Sequence, residues 1–118
     1  MSDKVNSRSL YKEDDGKNGV SVEIYFSEKG QLTILCVEYG ETVKKVRGDW
    51  DDELYLTVEK EHIYQLRDRI WQKSKKNVSE DNDLLDWFAD SFKSREAFRD
   101  IKTFFIENNI PYRFFNWT

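Results

Sequence analysis

The sequence predicts an α+β domain, built from an antiparallel β-meander of three to four strands, about three helices and a C-terminal strand that joins the same sheet. Two patterns predict this class. Apolar and polar residues alternate through much of the first half of the chain, as they do in half-buried strands, and apolar residues then recur at helical spacing from residue 59 onward. The residues after Pro111 return to a strand-like aromatic run.

The opening of the chain is polar, and residues 1–18 are predicted to form a flexible leader. The remaining residues, 19–118, are enough for a single domain with one modest core. No run approaches the roughly 18 apolar residues of a membrane span. The lone Cys36 cannot form an internal disulfide, which agrees with a reducing compartment, so a cytoplasmic protein is expected.

Three strands are predicted in order along the meander. The first covers residues 20–26, where every second residue is apolar, and the glycine-containing turn at 27–30 follows it. The second covers 32–39, and its nearly continuous apolar run indicates a central position in the sheet. The third lies at 53–58, while the pattern does not decide whether residues 41–47 pair.

Three helices are predicted after the meander, within residues 59–74, 83–92 and 95–108. Each segment places apolar residues on one face at a period of 3.6. The Asn pair at 108–109 favours a left-handed helix end, because asparagine tolerates that backbone conformation.

The chain ends with the aromatic stretch "NNIPYRFFNWT". Pro111 cannot continue a helix, so a short strand is predicted to start there. Two interpretations are possible, since such a tail is either tied into the core or exposed to a partner. We expect the first, with the aromatic side chains on both faces of the strand covered by the sheet and the helices.

Charge constrains the possible partners of this protein. Charged residues make up 36% of the chain, and the formal net charge is −4. Residues 1–59 hold eight basic and thirteen acidic residues, so the acidity is concentrated in this half. Acidity argues against a nucleic-acid backbone as partner, because phosphates would be repelled, and it suits a basic protein. Solubility alone is the other explanation.

No residue pattern indicates an enzyme, a metal site or a cofactor site. The single histidine, His62, has no nucleophile or orienting carboxylate fixed beside it by the sequence. Cys36 lies in the most apolar predicted strand, where a thiol acts as a small hydrophobic group. Phosphate-binding glycine loops and Cys/His metal spacings are also missing from the sequence. No cofactor is therefore predicted.

The segment "GDWDDE" has the densest group of carboxylates in the chain. It does not match a calcium loop, because the sixth position counted from Asp49 is Leu54 and not glycine. An indole surrounded by acids suits an interface with a basic partner, whereas a solvated turn is the simpler interpretation. The candidate partner-binding residues of this group are Asp49, Trp50, Asp51, Asp52 and Glu53.

The second predicted helix offers another acidic face. Its aspartates recur at i, i+3 and i+7, opposite the apolar stripe, and Trp87 lies toward their side. Either Trp87 is an exposed binding residue, or it packs at the edge of the stripe. The candidate residues of this second group are Asp83, Asp86, Trp87 and Asp90.

Residues 48–118 resemble a known group of proteins. The stretches "GDWDDELYLTVEKEHIYQL", "LLDWFADSF" and "FFIENNIPYRFFNW" are similar to small bacterial immunity proteins encoded beside polymorphic toxins, including those of contact-dependent growth inhibition systems. The closing Ile110-Pro111-Tyr112, followed by Phe114, Phe115 and Trp117, is the most specific part of this resemblance.

The resemblance implies stoichiometric neutralisation of a cognate toxin domain, not catalysis. Many such toxins are nucleases with basic substrate clefts, so an acidic inhibitor could occupy the cleft as a phosphate mimic. A second hypothesis is an acidic adaptor or DNA mimic that binds a basic host protein. A third, an enzyme or small-ligand site, would require a cavity lined by Tyr25, Tyr39 and Tyr55.

Overall fold

The computed structural model describes residues 4–41 and 51–117, and their strands form one five-stranded antiparallel sheet. The strands follow one another across the sheet in chain order. Their bounds are β1 Lys4–Asp14, β2 Asn18–Ser27, β3 Leu32–Gly40, β4 Asp51–Val58 and β5 Arg113–Trp117. The α+β class and the place of the C-terminal strand in the sheet are confirmed.

Within residues 51–117, three helices come between β4 and β5. A 3-10 turn at Lys60–His62 leads into α1 (Ile63–Ser74), which α2 (Asp81–Ser91) and α3 (Ala97–Glu107) follow. No described helix is both long enough and apolar enough to cross a membrane.

The core lies between these helices and one face of the sheet. Ile24, Ile34 and Leu56 are direct cross-strand neighbours on β2, β3 and β4, and each is fully buried. Because side chains alternate between the faces of a strand, this row marks the covered face. The helical side chains fully buried in the same cluster are Leu66, Ile70, Leu84, Leu85, Phe88, Ala97, Ile101 and Phe105.

The opposite face, here called the open face, carries the residues that alternate with the core row. One of its rows runs from Tyr25 through Thr33 and Thr57 to Arg113. The helical side chains of the core cluster, within residues 51–117, pack on the covered face. Tyr25 and Thr33 of the open face are also buried, whereas Arg113 is exposed. Packing of helices on one face is common for antiparallel sheets.

The prediction of a flexible leader over residues 1–18 is wrong for residues 4–14, which form β1 and pair with β2. The strand has no clear alternation in the sequence because its pairing shifts between Ser9 and Tyr11. As a result, the adjacent residues Leu10 and Tyr11 both pack toward the core. An extra residue at a β-bulge removes the period of two that identifies a strand.

The expectation that the aromatic tail is covered on both faces is also wrong. Phe114, Phe115 and Trp117 are 49%, 54% and 62% exposed. Strand β5 is the last strand of the sheet, and Phe115 and Trp117 lie on the open face, opposite Tyr55 and Glu53. The helices of the described part of the chain pack on the other face of the sheet, so they do not cover Phe115 and Trp117.

The predicted left-handed end of the third helix is confirmed. Asn109 has a φ of 56°, and the Ile110 N–H donates to the Phe105 carbonyl at 2.9 Å. The side chain of Asn108 donates to the Phe104 carbonyl at 2.8 Å. This end directs the chain from α3 toward β5.

Candidate functional site

Strand pairing brings acidic residues from separate chain segments to one end of the sheet. Glu13, Glu38 and Asp52 occupy one row across β1, β3 and β4, with Val20 of β2 between the first two. The neighbouring acids come from the β1–β2 turn and from the ends of β3 and β4. We call this end of the sheet the acidic end. The row of Glu13, Glu38 and Asp52 is in register with the core residue Val20 on the covered face, and Glu53 lies on the open face. The other acids at this end are Asp14, Asp15, Glu41 and, by strand position, Asp51.

The first group of predicted site residues falls partly within this surface. Asp49 and Trp50 lie outside the described residues, as do positions 42–47 of the segment whose pairing was undecided. That connection also contains three basic residues in the sequence, Lys44, Lys45 and Arg47. Asp51 begins β4, where its Cα is paired with that of Tyr39.

The two remaining acids of this group have different surroundings. Asp52 is buried and accepts a hydrogen bond from the Asn116 side chain at 3.3 Å, so it joins β4 to β5. Glu53 is partly buried on the open face and accepts a 2.6 Å hydrogen bond from the Tyr55 hydroxyl. Burial raises the pKa of Tyr55, and the hydrogen bond to Glu53 adds to the increase. Neither acid is simply a solvated turn residue.

Glu13 is held by two partners at the acidic end. It accepts a hydrogen bond from the Tyr11 hydroxyl at 2.6 Å and forms an ion pair with Arg95 at 2.5 Å. The hydrogen bond from Tyr11, followed by that from Arg95, holds the pKa of Glu13 below its ordinary value. Arg95, from the α2–α3 connection, therefore fixes one acid of this surface.

Tyr39 connects two strands at the same end. Its hydroxyl donates to the Asp14 carboxylate at 3.0 Å, and its ring lies over Gly19. The nearby Asp15 accepts backbone N–H groups of Asn18 and Lys17, and these bonds lower its pKa. These backbone hydrogen bonds thus favour the ionised form of Asp15, which a basic partner requires.

The second predicted group lies on α2. Asp83 and Asp90 are exposed, whereas Asp86 forms an ion pair with Arg8 of β1 at 2.8 Å. Strands β1 and β4 are separated by two strands, so at about 4.8 Å per strand their axes lie about 14 Å apart. The two predicted groups therefore lie on different elements, one on β4 and the other on α2 beside β1.

Trp87 does not lie on the solvated face of α2. Its ring lies 5.1 Å from that of Phe88, 5.9 Å from that of Phe92 and 5.5 Å from that of Phe104. These contacts place the partly buried indole at the edge of the core, which is the second of the two arrangements expected from the sequence. Packing between α2 and α3 accounts for this tryptophan.

The open face contains a groove of about 430 Å³ beside β5. Tyr25 and Tyr55 line it, as two of the three tyrosines named for a ligand cavity, while Tyr39 lies at the acidic end. Glu59 accepts hydrogen bonds from Gln31 at 2.8 Å and from Arg113 at 3.0 Å at this side of the sheet. These polar groups are engaged with one another.

Cys36 and His62 were considered as catalytic groups. Burial raises the pKa of Cys36 to about 11, and the nearby carboxylates of Glu38 and Asp52 add to this increase. The Nδ1 atom of His62 lies 2.9 Å from the Gln65 side-chain oxygen. The thiol is protonated at neutral pH and cannot act there as a nucleophile.

Two features of the structure could not be found from the sequence. Glu13 and Glu38 join the acidic end only through strand register, and β1 has no alternation that would have predicted its pairing. The exposure of Phe115 and Trp117 arises because the described helices pack on the other face of the sheet, which sequence periodicity does not report.

Comparisons with protein families, with curated proteins and with solved structures find no match to this chain. The proposed function therefore rests on the chemistry of the surfaces and on the resemblance described above.

Proposed function

We propose that this protein is an antitoxin-type immunity protein that binds a basic bacterial toxin domain, of the nuclease type, and neutralises it stoichiometrically. The observation that carries the proposal is the acidic end, where the strand register aligns acids from three strands. Glu13, Glu38 and Asp52 occupy one row, and Asp14 and Asp51 lie in the next. The resemblance of residues 48–118 to immunity proteins supports the same function.

The acidic end suits a basic cleft for two reasons. Glu38 and Asp52 are direct neighbours on strands about 4.8 Å apart, and Glu13 lies two strands from Glu38, so three acids that can face Lys and Arg side chains share one row about 14 Å wide. Their summed field accelerates encounter with a basic partner, and the effect weakens as salt is added. A nuclease cleft covered in this way cannot admit the phosphates of its substrate.

Binding without catalysis is part of the proposal. The high pKa of the buried Cys36 thiol weighs against a nucleophile at that position. The engagement of Glu53 with Tyr55 and of Glu59 with Gln31 weighs against free general bases beside the groove. The protein would act by occupying the toxin in a complex of fixed stoichiometry.

The test begins with co-expression of the chain and the toxin-like reading frame adjacent to its gene. We expect the chain to restore growth and to co-purify with the toxin domain. Neutralisation without co-purification would contradict stoichiometric binding. Co-purification with a basic host protein, without any protection from the toxin, would instead favour the alternative of an acidic adaptor or DNA mimic.

The surface is tested with charge reversals of matched size. Glu38→Lys combined with Glu41→Lys changes two exposed acids of the acidic end. Asp52 is not suitable, because it is buried and bonded to Asn116, and a lysine there would disturb the fold. We expect at least a tenfold loss of affinity, corresponding to about 1.4 kcal/mol, from the double reversal.

Two further variants have the same change in net charge. The pair Glu61→Lys and Asp68→Lys alters exposed acids near or on α1, and should leave affinity almost unchanged. The pair Asp83→Lys and Asp90→Lys tests the surface on α2. Equal losses of affinity in all three variants would show a general effect of net charge. A loss of affinity only in the α2 variant would show that the interface lies on that helix.

A further inference from the structure

Exposed apolar side chains are concentrated along one edge of the molecule. Six large apolar residues are exposed among the described residues, and two of them, Tyr64 and Trp71, belong to α1. The other four follow strand β5 and the adjacent side of α3. We call this surface the apolar edge; it comprises Ile106, Phe114, Phe115 and Trp117.

The apolar edge extends over both faces of the sheet. Phe115 and Trp117 lie on the open face, whereas Phe114 lies on the helical face, where its ring is 6.4 Å from that of Phe98. The Lys102 ammonium lies 4.9 Å from the centroid of the Phe114 ring. Ile106 is one helical turn beyond Lys102, so it continues this side of α3.

The backbone of β5, between the apolar side chains on the two faces of the sheet, forms an open strand edge. Strand β5 pairs with β4 on one side and is the last strand of the described sheet. An outer strand presents N–H and C=O groups that can pair with another strand. A partner that covers this edge fully must continue the sheet and must also contribute apolar side chains above and below it.

We propose that the partner is a second copy of this chain, joined through antiparallel pairing of β5 with β5 about a twofold axis at Phe115. A second copy supplies the required strand and the same apolar side chains on both faces. In this register Phe115 lies opposite its own copy, and Phe114 lies opposite Asn116. The two five-stranded sheets continue into one another.

The charges along β5 fit this symmetric arrangement. Arg113 begins the strand and Trp117 ends it, so antiparallel pairing places each arginine beside the indole of the other copy. Glu53 is the β4 neighbour of Trp117, so each indole would have an arginine of the other copy on one side and a carboxylate of its own chain on the other. Arg113 pairs with Glu59 of its own chain at 3.0 Å, but its side chain is 69% exposed and can also contact the indole, which is a favourable arrangement. By contrast, the residues that define the acidic end are all acidic, so two copies of this end would repel each other.

The size of the apolar edge indicates reversible association. A large aromatic side chain buries roughly 200 Å² when covered completely, and three of them are about half exposed on β5. They contribute roughly 300 Å² per copy, which is less than the roughly 800 Å² per partner of standard complexes. The dimer should therefore form as protein concentration rises.

Sedimentation velocity over about 1 µM to about 1 mM protein tests this association. We expect the mass to rise from 14.2 kDa toward twice that value. Phe115→Lys should keep the chain monomeric, since it places two like charges opposite each other at the axis. Trp71→Lys is the matched control, because Trp71 is 49% exposed and belongs to the α1 surface.

Either of two kinds of result, in the wild type or in the variants, would overturn the proposal. The first is a wild-type chain that stays monomeric at the highest concentration. The second is a Phe115→Lys variant that still dimerises or a Trp71→Lys variant that does not. Circular dichroism of each variant confirms that the fold is retained, which is expected because both side chains are about half exposed.

Cysteine cross-linking tests the register. Cys36 is buried and is the only native thiol, so a cysteine introduced on β5 is the one available for oxidation. Phe115→Cys should give a covalent dimer rapidly, because directly opposed residues in antiparallel strands have Cβ atoms about 5 Å apart. Arg113→Cys should react slowly, since its own copy lies at the far end of the paired strands.

Faster cross-linking of Arg113→Cys than of Phe115→Cys would exclude the twofold axis at Phe115. The relative rates of cross-linking do not bear on the proposed toxin binding, which depends on the acidic end. Growth protection by the Phe115→Lys variant separates the two proposals directly.

Discussion

Gly19 is required because of its contact with Tyr39, not because of its backbone conformation. A Cβ atom built on Gly19 would lie 2.1 Å from the Cζ atom of the Tyr39 ring. That ring reaches across the position to donate its hydroxyl hydrogen to Asp14. The glycine therefore permits a cross-strand link between β1 and β3.

Gly19→Ala should destabilise the fold by about 1–3 kcal/mol, because the tyrosine ring must move and its bond to Asp14 is strained or lost. Urea denaturation measures the change. In a Tyr39→Ala background the same substitution should cost much less, since the obstructing ring is absent. An equal cost in both backgrounds would show that the ring is not responsible.

Glu13 should make stability depend on pH. Its pKa is lowered in the folded state by Tyr11 and Arg95, so its ionised form favours folding. This contribution is present above the ordinary carboxyl pKa and is lost as the pH falls through the lower folded value. Glu13→Gln should thus be less stable than the wild type near about pH 6, and the difference should narrow toward about pH 3.

Denaturation midpoints measured at several pH values test the role of Glu13. Glu28→Gln, at an exposed glutamate in the β2–β3 turn, is the control and should follow the wild type throughout. A constant difference between Glu13→Gln and the wild type at every pH would contradict the assigned role.

Among the secondary-structure elements, the end of α3 has a specific backbone requirement. Asn109 has a positive φ, which costs most residues about 1–2 kcal/mol and glycine very little. Asn109→Gly should be neutral or slightly stabilising, whereas Asn109→Ala should be destabilised by about 1 kcal/mol. Chemical denaturation distinguishes them. Equal stability of the two variants would show that this conformation is not a constraint.

Strand β5 should contribute to stability without being essential for folding. Ile110 is buried and the Tyr112 ring lies 5.9 Å from that of Phe105, and both residues remain in a chain that ends at Tyr112. The deleted aromatics are about half exposed. We expect a folded protein whose midpoint is lowered by on the order of 10 °C, because β4 becomes the edge strand.

Thermal denaturation and circular dichroism examine this truncated chain. If the truncated chain shows no cooperative unfolding, β5 is essential for folding, as the sequence pattern indicates. The same truncation should abolish dimer formation at every concentration.

The sequence was informative where an element has a regular period and one buried face. Strands β2, β3 and β4 and all three helices were predicted close to their observed bounds, because burial on one side enforces a period of 2 or 3.6. Strand β1 was missed, since a bulge places Leu10 and Tyr11 together toward the core. The exposure of β5 was missed because periodicity does not indicate how many layers cover a sheet.

At the scale of the whole molecule, the candidate site is only partly encoded in contiguous sequence. The run from Asp51 to Glu53 was visible as a cluster, but its neighbours Glu13 and Glu38 are distant along the chain and meet it only through register. Trp87 was ambiguous because helical phase places it at the boundary of the apolar stripe, where contacts with α3 decide its exposure.

The two proposed surfaces should respond differently to salt. Binding of a basic partner at the acidic end should weaken by at least tenfold between about 50 mM and about 500 mM salt, since exposed charges are then screened. Self-association at the apolar edge should change little, because it depends on aromatic burial and backbone pairing. Titrations of both associations at the two salt concentrations test this difference.

A salt-sensitive dimer, or a salt-insensitive complex with the basic partner, would mean that the surfaces have been assigned to the wrong associations.

The two edges of the sheet are not equivalent, and the difference limits assembly. Strand β1 has irregular pairing between Lys4 and Asn6 and again between Ser9 and Tyr11, and such bulges discourage the addition of a further strand. Strand β5 has a continuous register with β4. If only the β5 edge can pair with another strand, each molecule can bind one other copy and then has no further strand edge for pairing. Association should consequently terminate at a pair, without growth into fibres, even at high concentration.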